Sequence, residues 1–79
     1  MRVAIEMPRL GEEPEARVNR WLKAVGDTVA RGEPIAEIET DKATLDVEAL
    51  QAGTLVEIVH DADAEVEVGT PIGYLETDG

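Results

Sequence analysis

Several residue types that support catalysis or covalent cross-linking are missing from this 79-residue sequence. It contains no cysteine and no serine, and it has one histidine, His60. Disulfides and thiolate–metal bonds are therefore excluded, and the common pairs of nucleophile and base cannot be assembled. We interpret His60 as a surface histidine at a strand end, because no second His or Cys exists to complete a metal site with it. The composition predicts a non-catalytic domain on which other enzymes act.

Positive charge and long apolar runs are also scarce. Seven basic residues stand against 18 acidic ones, which gives a formal net charge of −11. Such a charge repels nucleic-acid phosphates and anionic membranes, and it attracts basic docking patches on partner proteins. No apolar run is long enough to cross a bilayer, and Glu6 interrupts the N-terminal apolar pattern. We therefore expect a cytoplasmic protein that binds neither nucleic acid nor membrane.

What the sequence does contain is an internal duplication. A shift of 37 residues aligns residues 32–41 with residues 69–78, and both segments include Gly, Pro, Ile and a Glu-Thr-Asp triplet. Short alternating stretches bounded by turn residues, such as 18–22 and 34–40, predict β-strands, whereas helical spacing is nowhere sustained. The sequence therefore predicts one all-β domain over residues 1–79, with two similar sheets related by a pseudo-twofold axis.

The position of Lys42 is the second informative feature, since the chain has only one other lysine, Lys23. The duplication aligns Lys42 with Gly79, so we expect the lysine at the end of the domain away from the C-terminus. A two-residue loop of Asp41 and Lys42 pairs apolar residues on one face of a hairpin and polar residues on the other. The predicted pairs are Ile38 with Leu45, Ala36 with Val47, Glu39 with Thr44, and Glu37 with Asp46.

The surroundings of this lysine indicate how it is used. Two-residue hairpin loops prefer Asn-Gly or Asp-Gly, so a lysine at the second position departs from the usual turn chemistry. Neighbouring carboxylates favour the charged form of an amine, which neither attacks a carbonyl nor accepts a proton. We therefore predict that Lys42 is exposed at a hairpin tip and is acylated by another enzyme. The nearby carboxylates are those of Glu39, Asp41, Asp46 and Glu48.

With these residues in view, the sequence resembles the lipoyl domain of the dihydrolipoamide acyltransferase component of 2-oxo-acid dehydrogenase complexes. The resemblance covers essentially the whole chain, and its most specific segment is Glu39-Thr40-Asp41-Lys42-Ala43. Softer matches are residues 7–12, 21–23, 25–29, 32–38 and 69–72. The resemblance implies a flattened β-barrel or sandwich of two four-stranded antiparallel sheets, with the lysine at a hairpin tip.

The same resemblance implies a function and a set of site residues. Lipoic acid in amide linkage to Lys42 would act as a swinging arm, with Asp41 and Ala43 as flanking recognition residues. The implied partners are a thiamine-diphosphate 2-oxo-acid decarboxylase, an acyltransferase core, a dihydrolipoamide dehydrogenase and a lipoate-attaching enzyme. Partner recognition would fall to the loop after the first strand and to residues beside the lysine: Leu10, Gly11, Glu12, Glu13, Pro14, Glu39 and Thr40.

Other members of the wider family give alternative interpretations. A biotin carboxyl carrier domain shares the fold, but it usually has methionine on both sides of its lysine. An unmodified structural adaptor of the same fold normally carries an inserted hairpin at that position, and the glycine-cleavage H protein is longer than this chain. Pyruvate, 2-oxoglutarate and branched-chain complexes share these motifs, so the motifs do not select among them.

Smaller expectations complete the interpretation. Many relatives have Gly-Asp where this chain has Asp63-Ala64, and we expect Asp63 to adopt the left-handed conformation there. Trp21 is expected to be partly buried core. We also expect the isolated domain to be a monomer, and the chain to be the N-terminal piece of a longer acyltransferase.

Overall fold

Eight β-strands and no helix are found in the part of the chain that the computed structural model describes, residues 1–9 and 11–78. The all-β prediction is therefore confirmed, and this part of the chain has no helix with which to span a membrane. The strands form two four-stranded antiparallel sheets, with the orders β1-β8-β6-β3 and β5-β4-β2-β7. Their bounds are β1 (Arg2–Glu6), β2 (Glu15–Trp21), β3 (Thr28–Val29), β4 (Pro34–Glu39), β5 (Thr44–Glu48), β6 (Gly53–Ile58), β7 (Glu65–Glu67) and β8 (Pro71–Glu76).

The predicted pseudo-twofold symmetry is present in the strand order and in the register. Exchanging each strand of the first half with its counterpart in the second half (β1 with β5, β2 with β6, β3 with β7 and β4 with β8) converts one sheet order into the other. The β2–β4 pairing shifts register between Val18 and Arg20, and the β6–β8 pairing shifts between Leu55 and Glu57, each 37 residues later. An extra residue therefore bulges at the equivalent point of each half, which increases the local twist.

Three of the bounds predicted for these two strands were wrong. The strand expected at residues 18–22 begins earlier, at Glu15, and ends at Trp21. The strand expected at residues 34–40 ends at Glu39. The early start of β2 reflects its pairing with β7, which spans Glu15 to Arg17 and depends on a long-range contact.

One turn conformation is repeated in both halves, although the residues differ. Gly26 has φ 100° and Asp63, its counterpart, has φ 70°, as predicted for Asp63. The Gly26 N–H donates to the Leu55 carbonyl, and the Asp63 N–H donates to the Val18 carbonyl, both at 2.7 Å. Aspartate tolerates the left-handed region better than most residues, so it replaces glycine at this turn.

The core lies between the two sheets and is built from matched residues of the two halves. Its fully buried members include Val18 and Leu55, Ile35 and Ile72, and Ile38 and Leu75. Trp21 is half-buried against this core, as predicted, and its Nε1–H donates to the His60 carbonyl at 2.8 Å. His60, predicted to be a surface histidine at a strand end, is partly exposed and follows β6.

The domain has a long axis of 35 Å, which exceeds the length of a six-residue strand, about 20 Å. β6 begins beside Glu76, at the Thr54–Glu76 pair, and runs away from it. The chain then places β7 beside Arg17, which pairs with Glu39 at the end of β4. The ends of β8 and β4 therefore lie toward opposite ends of the domain. Gly79, the predicted counterpart of Lys42, lies outside the described residues.

Candidate functional site

The hairpin of β4 and β5 places Lys42 at its tip. Its register is the predicted one, with Ile38 opposite Leu45 and Glu39 opposite Thr44. The loop is wider than predicted, because the strands end at Glu39 and resume at Thr44, leaving residues 40–43 outside them. Neither Asp41 nor Lys42 has a positive φ, since Asp63 is the only non-glycine residue with one in the described chain. A lysine is therefore accommodated without the strain that a two-residue loop would impose.

Local hydrogen bonds and buried anchors fix this turn. The Thr40 N–H donates to the Ala43 carbonyl at 2.8 Å, and the Lys42 N–H lies 3.3 Å from the Thr40 hydroxyl oxygen. Below the turn, Ile38 and Val47 on the two strands are buried in the core. Packing of both strands thus holds the tip in place, while Asp41, Lys42 and Ala43 themselves are exposed.

The two lysines have different environments. Lys23 is paired with Glu33, with 2.5 Å between Lys23 Nζ and Glu33 Oε2, and this contact raises the pKa of Lys23. Lys42 is exposed, and within residues 1–9 and 11–78 it forms no ion pair. Only Lys42 therefore presents a free ammonium group on a fixed turn. No cluster of His, Asp and Glu in the described chain could hold a metal ion.

A shallow acidic depression lies beside the lysyl turn. It has a volume of about 250 Å³ and is lined by Glu13, Glu15, Ala16, Arg17, Glu39, Thr40, Asp41 and Glu65. Arg17 forms an ion pair with Glu39 across β2 and β4, and its hydrogen bond to that carboxylate raises the pKa of Arg17. The remaining carboxylates leave the depression with a negative charge next to the turn.

Some of the predicted recognition residues meet at this depression and others do not. Glu13, Glu39, Thr40 and Asp41 line it together, although they come from two distant segments. Three exposed residues, Gly11, Glu12 and Pro14, do not line it, whereas Leu10 lies outside the described residues. The Pro14 carbonyl accepts the Val68 N–H at 3.0 Å, which ties the loop after β1 to the segment after β7.

Sequence reasoning missed the other charged residues of the depression: Glu15, Arg17 and Glu65. Their presence depends on the pairing of β2 with β4 and β7. The pairing of β2 with β4 has one signal in the sequence, which is the duplication. The two halves pair in the same register, and this register places Arg17 opposite Glu39. The position of Glu65 has no local signal.

Comparison with known proteins gives the family context. A family model described as biotin-requiring enzyme, of the biotin/lipoyl type, matches residues 3–75. One relative is the dihydrolipoyllysine-residue acetyltransferase component of the pyruvate dehydrogenase complex of Corynebacterium glutamicum. It is 49% identical over 72 residues, which is 90% of this chain and 11% of the relative. The chain spans a fifth or less of the curated relatives that it matches.

Two solved structures are similar to this fold. The lipoyl domain of the 2-oxoglutarate dehydrogenase complex from Azotobacter vinelandii matches with a TM-score of 0.74 and 33% identity, covering 96% of this chain and all of that domain (100%). The urea carboxylase of Kluyveromyces lactis matches with a TM-score of 0.81 and 25% identity, covering 96% of this chain and 6% of the carboxylase.

Proposed function

Since the chain belongs to the biotin/lipoyl family and has the fold of its lipoyl domains, we propose that it is a lipoyl carrier domain with lipoic acid amide-linked to Lys42. The observation that supports this proposal best is the exposed, unpaired ammonium group of Lys42 on a turn fixed by buried strands. An enzyme that acylates one lysine can reach this one, whereas the ammonium group of Lys23 is engaged by Glu33.

In this proposal the chain's own residues supply position rather than catalysis. When attached, lipoic acid supplies a dithiolane that accepts an acyl group together with two electrons. The hairpin holds the attachment point clear of the domain, and tethering raises the effective concentration at each partner's active site. Asp41 and Ala43 present the lysine to the attaching enzyme.

The proposed partners are those of a 2-oxo-acid dehydrogenase complex. They are a thiamine-diphosphate decarboxylase, an acyltransferase core, a dihydrolipoamide dehydrogenase and a lipoate-attaching enzyme, all placed in the cytoplasm. The similar proteins are named for pyruvate, 2-oxoglutarate and branched-chain alpha-keto acid dehydrogenase complexes, and no residue described above favours one 2-oxo acid. The negative depression beside the turn suits a partner with a basic docking patch.

A biotin carboxyl carrier domain is the second candidate, and the likeness to urea carboxylase favours it. The immediate neighbours of the lysine argue against it, because Asp41 and Ala43 stand where biotinyl domains usually have methionine. The match to a complete lipoyl domain at higher identity also supports lipoic acid over biotin.

Coexpression with a lipoate ligase or, separately, with a biotin ligase tests the proposal, with intact mass as the readout. We expect one lipoyl group to be added by the first ligase and nothing by the second. Lys42→Arg should abolish the addition, because it keeps the charge and removes the acylable amine.

Lys23→Arg is the matched control, since it retains a positive partner for Glu33 and leaves Lys42 unchanged. It should be lipoylated like the parent domain. Three results would contradict the proposed function. They are addition of biotin to the parent domain, no addition by either ligase, and addition of a lipoyl group to the Lys42→Arg variant.

A further inference from the structure

An apolar groove lies between the edges of the two sheets, and Leu45 is the lining residue closest in sequence to the lysyl turn. It has a volume of about 800 Å³ and lies between β1 and β5. Both strands are edge strands, so within the described chain no strand pairs with their outer sides. The apolar residues that line this β1–β5 groove include Val3, Ile5, Met7, Leu45, Val47 and Leu50.

The groove is most exposed along β5. Alternate residues of a strand share a face, so Leu45 and Val47 point to the same side of β5. Val47 is buried, with 7% exposure, but Leu45 is 38% exposed and Leu50 is 76% exposed. Apolar surface that is exposed along a groove commonly marks a binding site.

We propose that this groove is a resting site for the lipoyl arm of the same molecule. This inference rests on the proposed function, because it requires an acylated Lys42. Acylation removes the lysine charge and leaves a flexible apolar chain, which matches the apolar lining of the groove. The domain would thus hold part of its cofactor population against its own surface and release it to partners.

Reach supports this occupant over others. Leu45 is three residues from Lys42, so their Cα atoms are at most about 11 Å apart. A stretched lipoyl-lysine extends about 14 Å from its Cα at bond lengths near 1.5 Å, which is enough to reach Leu45. A tether of this length gives the arm an effective concentration of the order of millimolar. A dissociation constant of about the same size would therefore keep the arm in the groove about half of the time.

The residues that line the β1–β5 groove suit an uncharged ligand. Four charged residues also contribute to the lining of the groove: Glu6, Arg9, Asp46 and Glu48. Asp46 and Glu48 alternate with Leu45 and Val47 along β5 and are exposed, so they face away from the core side of that strand. The apolar arm therefore meets leucine and valine side chains at the end of the groove that is closest to the lysyl turn.

Nuclear magnetic resonance of the methyl-labelled domain, unmodified and lipoylated, tests this inference. We expect nuclear Overhauser effects between the arm and the methyl groups of Leu45, the lining residue within its reach. In the parent domain, a water-soluble phosphine should also reduce the dithiolane about twofold more slowly than in Leu45→Gln. The arm of the parent is protected in the groove about half of the time, and the substitution removes that protection.

Val59→Gln is the matched control, because Val59 is 43% exposed and does not line the groove. It should leave both the Overhauser effects and the reduction rate unchanged. A lipoylated domain whose shifts change only at residues 41–43 would overturn this inference and leave the proposed function intact.

Two other outcomes would also overturn it. Concentration-dependent shifts of Leu45 and Leu50 in the unmodified domain would show that a second copy occupies the groove. A domain that no lipoate ligase modifies, as judged by intact mass, would overturn both the proposed function and the resting site.

Discussion

Single residues decide which amine of this chain is available. Lys23 and Lys42 are chemically identical, but Glu33 engages the first and the turn of residues 40–43 exposes the second. The Glu33 carboxylate also accepts the Ala30 N–H at 2.8 Å. The hydrogen bond from Lys23, and then the one from Ala30, lower the pKa of Glu33 below its ordinary value of 4.5.

This lowered pKa predicts a pH dependence of stability at acid pH. A carboxyl whose pKa is lower in the folded state stabilises the fold above its unfolded pKa, and that contribution is lost as pH falls through the folded value. We therefore expect the difference in the free energy of unfolding between the parent and Glu33→Gln to be largest near neutral pH and to decrease as pH falls below 4.5 and through the lowered pKa of Glu33.

Urea unfolding of both proteins across that range measures this difference. Glu67→Gln, an exposed carboxylate for which the structure shows no ion pair, is the control and should show no such loss. A difference that stays constant through acid pH would show that the charge of Glu33 does not contribute to stability.

Among the strands, the packing of Trp21 on β2 explains where the two halves differ. Ala36 and Gly73 occupy equivalent places on β4 and β8, and Trp21 from the first half packs against Gly73 of the second. A Cβ at Gly73 would lie 2.8 Å from both Trp21 Cη2 and the Glu57 carbonyl oxygen. The counterpart of Trp21 is the smaller Ile58, so the first half tolerates alanine where the second requires glycine.

Gly73→Ala should therefore destabilise the domain by about 1–3 kcal/mol, the usual cost of overpacking a core. Urea unfolding and tryptophan fluorescence measure the loss and the displacement of the indole. In a Trp21→Leu background the same substitution should cost less, because the two sites are coupled. Equal costs in both backgrounds would mean that the Glu57 carbonyl alone sets the penalty.

The strands also show how far sequence alone carries the structure. The alternating pattern predicts the all-β class and the register of the lysyl hairpin, because these depend on residues close in sequence, and the duplication predicts the twofold relation. The start of β2 at Glu15 and the acidic depression depend on β7, which local patterns do not reveal. The β1–β5 groove was likewise not predictable, since it forms where two sheets leave their edges unpaired.

For the whole molecule, the dominant quantity is a net charge of −11 on a body 35 Å long. Like charges within such a length repel one another in the folded state and separate on unfolding. Raising the ionic strength from about 0.01 M to about 0.15 M shortens the screening length from about 30 Å to about 8 Å. We expect the urea midpoint to rise over this range.

The double variant Asp46→Asn with Glu67→Gln is a matched test, because both side chains are exposed and neither belongs to an ion pair in the described chain. Its midpoint should rise less with salt than that of the parent. A midpoint that falls with salt would show that the ion pairs of the sheets outweigh the repulsion.

The central claim is that Lys42 is the attachment point of lipoic acid, and peptide mass mapping of the protein isolated from its own cells tests it most directly. The predicted result is a lipoyl group on the peptide that contains Lys42 and an unmodified Lys23. A biotin group on Lys42, a lipoyl group on Lys23, or an unmodified Lys42 throughout the sample would contradict it.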